Sequence, residues 1–215
     1  MNETLLQTSI VVVGEGFSSM SARPEVLQRL GVLPPSWILS QNVLVTPIVT
    51  VLTFTNGVEL LQETNRFQIR APITEVSHTA LAEIVIKYLS SANPLVPCSA
   101  VGVNFDGFGS QVFPEEYLAD RLTNRMAWPF TESGARVIGT RYRFDRDTEE
   151  LHLSLEVAER QNIPGIGISA NFHTSVKSEA SSEEITQAIG RVKRHADYLV
   201  RLIEAFSENG TRETS

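Results

Sequence analysis

Apolar and polar positions along this chain follow two periods, one of two residues and one near 3.6, and the switches between them divide it into elements. Segment 8–17 is rich in β-branched residues, with Ile10 to Val13 at its centre. It closes at Gly14-Glu15-Gly16, which predicts a strand and a turn. Segment 18–41 is broken by Pro24, Pro34 and Pro35 and predicts irregular chain with one helical turn at Glu25–Leu30, closed by Gly31. Val43–Thr55 and Val58–Ala71 are both β-prone. Asn56-Gly57 between them tolerates the positive φ of a two-residue type I′ turn, so the two runs predict one long hairpin. In its second arm Leu61, Phe67 and Ile69 share one alternation set, and Gln62, Thr64, Arg66, Gln68 and Arg70 share the other, giving one buried face and one wet face. Pro47 lacks an N–H and marks a bulge or a sheet edge in the first arm.

Beyond Pro72, Leu81, Ile84, Val85, Tyr88 and Leu89 recur at helical spacing within Thr74–Ser91, and Asn93-Pro94 and Pro97 end that helix. Segment 98–106 returns to strand character, Gly107 and Gly109 are expected to turn the chain, and Pro114 opens a short helix to Leu122. Arg136–Phe144 and Glu150–Ala158 predict a second hairpin around Asp145-Arg146-Asp147-Thr148, with Leu151, Leu153, Leu155 and Val157 pointing inward. Ile166, Ile168, Ala170 and Phe172 continue the period of two after Pro164. The last helix begins at Ser181 or Ser182, where Ser181 and Glu184 have capping-box spacing. It carries Ile185, Ile189, Val192, Ala196, Leu199, Val200, Ile203 and Phe206 as one stripe.

This order predicts an α+β fold in two layers: a long antiparallel sheet built around two hairpins, with two main helices on one face. The expected domain is residues 1–206, with halves 1–95 and 96–206 and a mobile polar tail at 207–215. The halves are loosely alike, Ile10–Phe17 matching Ala100–Gly107, as an old duplication would leave them.

The chain has 215 residues, 42% of them hydrophobic and 20% charged, which suits a globular protein with a substantial core. A net charge of −7 opposes general attraction to phosphate backbones or anionic membranes. No signal-like start and no membrane-length apolar run occur, so cytoplasm is the expected location. One cysteine, Cys98, excludes an internal disulfide and a cysteine-based zinc site.

Candidate chemistry is sparse. Val11-Val12-Val13-Gly14-Glu15-Gly16-Phe17-Ser18-Ser19 resembles a dinucleotide-binding turn, but Ser19 replaces the third glycine and proline-rich chain replaces the helix. His78, His152, His173 and His195 lack metal-ligand spacing, although His152 and His173 are neighbours if their strands pair. Asp145, Asp147, Glu149 and Glu150 cluster without a calcium-loop pattern and read as a solvated hairpin tip. Cys98 has no identifiable base, and Asp106 and Asp120 are isolated acids. Arg191, Lys193, Arg194, His195 and Arg201 crowd the last helix among Glu183, Glu184, Asp197 and Glu204, which makes nucleic-acid binding a weak reading. No catalytic, cofactor-binding or metal-ligating residue is therefore assigned.

Ser9-Ile10-Val11-Val12-Val13-Gly14 with Phe17, Asn65-Arg66-Phe67 and Val101-Gly102-Val103-Asn104-Phe105-Asp106 resemble, in order and spacing, a group of uncharacterised small bacterial α+β proteins. That resemblance implies no activity. The expected function is a non-enzymatic interaction or self-assembling module, with a homodimer or another protein as partner. The rivals are an enzyme or small-ligand binder whose site is assembled from distant residues, and a chaperone-like protein binding extended peptide. Val43–Thr55 sharpens the question. It has Leu44, Ile48, Leu52 and Phe54 on one alternation set and Val43, Val45, Val49 and Val51 on the other. The second set needs a cover, either a partner chain or segment 18–41 with Leu27, Leu30, Leu33, Trp37 and Ile38.

Overall fold

The computed structural model describes residues 3–94, 96–122, 138–146, 148–176 and 182–208. Among them, nine strands form one antiparallel sheet: β1 (Glu3–Gly14), β2 (Leu39–Val45), β3 (Val49–Phe54), β4 (Glu59–Glu63), β5 (Arg66–Pro72), β6 (Cys98–Ser110), β7 (Gly139–Arg146), β8 (Glu149–Arg160) and β9 (Ile163–Ser175). Their spatial order is β2-β3-β4-β5-β1-β6-β9-β8-β7. The helices are α1 (Pro24–Arg29), α2 (His78–Ala92), α3 (Pro114–Leu122), α4 (Ser182–Gly190) and α5 (Val192–Glu208), and a 3-10 turn spans Ser19–Ala22.

The α+β class, the antiparallel sheet and the helix-covered face are as the sequence predicts. Each half runs strand, helix, strand meander, helix, and β1 and β6 pair antiparallel at the centre. The matched segments Ile10–Phe17 and Ala100–Gly107 thus fall on, or just beyond, topologically equivalent strands. One face of every central strand is buried: Ile10 and Val12, Phe67 and Ile69, Val103 and Phe105, Leu151 and Leu153, Ala170 and Phe172. Over it lie α2, against β1 and β5, and α4 and α5, against β6. Ser77 caps α2 by accepting from the Ala80 N–H at 3.2 Å, which sets the helix start four residues later than expected.

Several expected boundaries shift. Val43–Thr55 is not one arm but two strands, because Thr46-Pro47-Ile48 turns the chain; the Thr46 N–H donates to the Val49 carbonyl at 2.8 Å. Leu44 and Val51 therefore share one face and Val43 and Leu52 the other. Val58–Ala71 also breaks, at Thr64-Asn65, and the register changes there. Leu60 and Gln62 are buried while Leu61 lies on the open face, the reverse of the simple alternation. Asn56-Gly57 is not a type I′ turn: only Gly57 has positive φ (78°), in a three-residue loop closed by Phe54 N–H to Val58 C=O. The I′-like two-residue loop is Gln161-Asn162, both at positive φ, between β8 and β9. Gly107 and Gly109 do not turn the chain but continue β6. A Cβ on their neighbour Gly165 would meet Gly109 O at 2.4 Å. The last helix is two helices broken at Arg191, and Val200, expected in the stripe, is 41% exposed. Ser181, Asp147, the side chains of Asp120, Ile203 and Phe206, and residues 209–215 lie outside the described residues.

The cover for β3 comes from the chain itself. Leu27 and Leu33 are buried in the core, Trp37 packs on Phe54 at 5.2 Å, and Ser19 accepts from Thr50 Oγ1 through its carbonyl at 3.0 Å. Ile38, assigned to the same cover, is instead 66% exposed.

Candidate interaction surface

The buried polar groups hold the fold together and leave few atoms free for chemistry. Tyr88 donates to Gln62 Oε1, its oxygen lies 3.0 Å from Ser21 Oγ, and Asn93 Nδ2 donates to that Ser21 oxygen at 3.0 Å. Burial pushes the Tyr88 phenol up to about 12, so it remains a donor. At the other end of the sheet Glu149 is buried below α5. Its Oε2 lies 2.8 Å from His195 Nε2, and Arg146, Arg191 and Arg194 approach the carboxylate at 3.5–3.8 Å. Burial lowers the His195 pKa against the pull of Glu149, the nearby arginines oppose a further positive charge, and Nδ1 has no partner. The imidazole stacks flat on Phe172 at 4.2 Å.

This clasp corrects two sequence readings. Glu149 is not part of a solvated hairpin tip, and His195 is not a surface histidine but is buried on that carboxylate, with Arg191 and Arg194 beside it. The dinucleotide reading fails on backbone accounting. The amides of Gly14, Glu15, Gly16 and Phe17 donate to Asn65, Pro97 and Thr64 carbonyls, so a phosphate would find them occupied. Cys98 is buried, and burial raises its pKa away from thiolate. His78 bonds Thr8 at 2.7 Å, and burial lowers its pKa, opposed by Asp197. His152 and His173 do become neighbours, on either side of Glu150, on the open face. Among the described residues no three His, Cys, Asp or Glu side chains converge as metal ligands. A hollow of about 710 Å³ is an open groove between α1 and α2 lined by Val32, Leu33, Pro34, Ile84 and the chains of Glu83 and Lys87.

The open face of the sheet divides into three zones. Hydrogen-bonded polar residues fill the centre, Asn171 donating to Asn104 and Gln68 to Ser9. Charge dominates the β7–β8 end, where Arg143 pairs with Glu150 at 2.6 Å and Arg141 with Glu156 at 3.6 Å. Arg143, then His152, hold the Glu150 carboxyl below its ordinary range. At the β2–β4 end Leu44, Val51 and Leu61 lie in one apolar cross-strand row, with the Glu59–Arg70 and Glu63–Arg66 pairs on either side of Leu61.

The two sheet edges differ in the same sense. Along β7, Arg141, Arg143, Asp145 and Arg146 guard the edge against strange strands. Along β2, Leu39-Ser40-Gln41-Asn42-Val43-Leu44-Val45 carries no charge. Exposed apolar side chains gather there: Ile38 at 66%, Val43 at 41%, Leu44 at 50% and Ile48 at 70%. The ladder to β3 slips between Leu39 and Val43, so the regular part of the free edge is Val43–Val45. Because the Thr46 N–H points to β3, strict alternation turns Leu44 inward to the ladder. It leaves the N–H and C=O groups of Val43 and Val45 facing outward. Alternation sets alone did not show this surface. A plain charge count does: no Asp, Glu, Lys or Arg occurs between Arg29 and Glu59 in a chain that is 20% charged.

No protein-family model matches the chain, and no curated protein matches it significantly. Among the described residues, no helix is long and apolar enough to cross a membrane.

Proposed function

We propose that this protein is a non-enzymatic interaction module whose working surface is the uncharged β2 end of the sheet, and that it engages polypeptide by strand addition. The observation that supports this is the contrast between edges: β7 carries the charges that discourage strand pairing, and β2 presents the backbone groups of Val43 and Val45, which no described strand pairs, among exposed apolar side chains. A purely structural edge gains nothing from Leu44 and Ile48 in water, since exposed apolar clusters invite association.

The test is selection of displayed random peptides on the immobilised protein. Enriched peptides should be β-prone with alternating apolar residues, and should lose binding to a Val45→Pro protein. That change removes one outward N–H and no bond to β3. Peptides that bind the Val45→Pro protein as well as the parent would refute strand addition at β2.

A further inference from the structure

Resting on that reading, we infer that the occupant of the β2 edge is a second copy of this chain, paired antiparallel about a twofold axis at Leu44. The outward backbone groups of Val43 and Val45 flank Leu44 symmetrically, so an antiparallel copy places Val43 opposite the partner's Val45 and Val45 opposite the partner's Val43. Both are then bonded pairs, each exchanging two hydrogen bonds, and Leu44 meets its own copy at the non-bonded position between them. The register is self-complementary, which is the condition for a closed twofold interface.

Charge points the same way. Self-pairing brings identical side chains together, so any charge on β2 would face its like. The charge-free run from Leu30 to Val58 removes that repulsion from the strand and its flanks. Self-pairing at β7 would set Arg141, Arg143 and Arg146 against a second set of arginines. Pairing β2 to β7 of another molecule would be heterologous and would propagate as an open filament. On the face away from the helices, Leu44 lies against its own copy at the axis, so part of a side chain that one copy leaves 50% exposed is removed from water.

The full chain is measured by sedimentation and light scattering over a micromolar concentration series, with Leu44→Cys and Val51→Cys proteins held in a glutathione redox buffer. The inference expects a mass of two 23.8 kDa chains. It expects Leu44→Cys to form an interchain disulfide, because opposed non-bonded residues lie about 4.5 Å apart, within disulfide reach. Val51→Cys should not, since three strand spacings, about 14 Å, separate the two copies. Cys98 is buried and does not compete. Leu44→Lys, which faces two ammonium groups across the axis, and Val45→Pro should each sediment as one chain with an unchanged circular dichroism spectrum. A mass of 23.8 kDa throughout overturns the second copy while leaving peptide capture at β2 to stand or fall on the displayed-peptide result. A doubled mass without the Leu44→Cys disulfide overturns the axis at Leu44.

Discussion

Tyr88→Phe removes a buried hydroxyl and keeps the ring, so it breaks the bond to Gln62 and the 3.0 Å contact to Ser21 Oγ together. Tyr88 is fully buried and stacks on Phe67 at 4.0 Å, a contact phenylalanine retains. The hydroxyl alone is lost. Its acceptor, Gln62, is also fully buried, and its Nε2 is committed to the Glu63 carbonyl. Without the phenol, Gln62 Oε1 has no donor, and an orphaned buried acceptor costs about 1–3 kcal/mol. For a chain of this length each kcal/mol moves the melting temperature by about 2–4 °C, so a loss near 2 kcal/mol lowers Tm by about 4–8 °C. Gln62→Leu should also destabilise, because it leaves the Tyr88 O–H only Ser21 Oγ to bond. The double variant replaces both partners with apolar groups and should be much less destabilised than the sum, with a coupling of about 1 kcal/mol or more. Urea and thermal melts of the four proteins, with unchanged urea m-values, complete the cycle. A Tyr88→Phe protein within about 1 °C of the parent, or an additive cycle, would refute this account of the network. The network also ties Ser21, and hence the 18–41 cover, to α2 and β4, so it supports the strands behind the β2 edge.

Leu199 is fully buried, and Leu199→Asp should cost about 4 kcal/mol or more by burying an unpaired carboxylate; a melt within a degree or two of the parent would show that α5 is not packed into the core. Gly165→Ala drives a Cβ against Gly109 O and Phe108, and urea unfolding should register a loss of about 1–3 kcal/mol. Burial lowers the His195 pKa below 6.5, so the unfolded chain binds the proton first. Stability is then full above pH 6.5 and falls as pH drops below it, by at most about 1.4 kcal/mol per pH unit from this group, and His195→Gln should flatten that slope between pH 7 and 5.5. A parent protein equally stable across that range would contradict the buried, neutral imidazole.

Where an element is set by its own period, the sequence was enough. The spacing of Leu81, Ile84, Val85 and Tyr88 marks α2, Pro114 opens α3, and Leu151, Leu153 and Leu155 with Ile166, Ile168, Ala170 and Phe172 find the buried face of β8 and β9. These signals are local, since side-chain direction follows backbone period. Tertiary structure decided where a long apolar run breaks and which polar groups go inside. Thr46-Pro47-Ile48 and Thr64-Asn65 turn the chain, and each turn reassigns faces that unbroken alternation would keep. Gln62 reads as wet in sequence and His195 as one of several polar residues crowding the last helix, yet both are buried because Tyr88 and Glu149, distant along the chain, supply the hydrogen bonds that make burial tolerable. The β2 edge belongs to both. Its lack of charge is written in the sequence from Leu30 to Val58, but only the strand order leaves Val43 and Val45 without a neighbouring strand among the described residues, since a free edge is a property of the whole sheet and not of any strand in it.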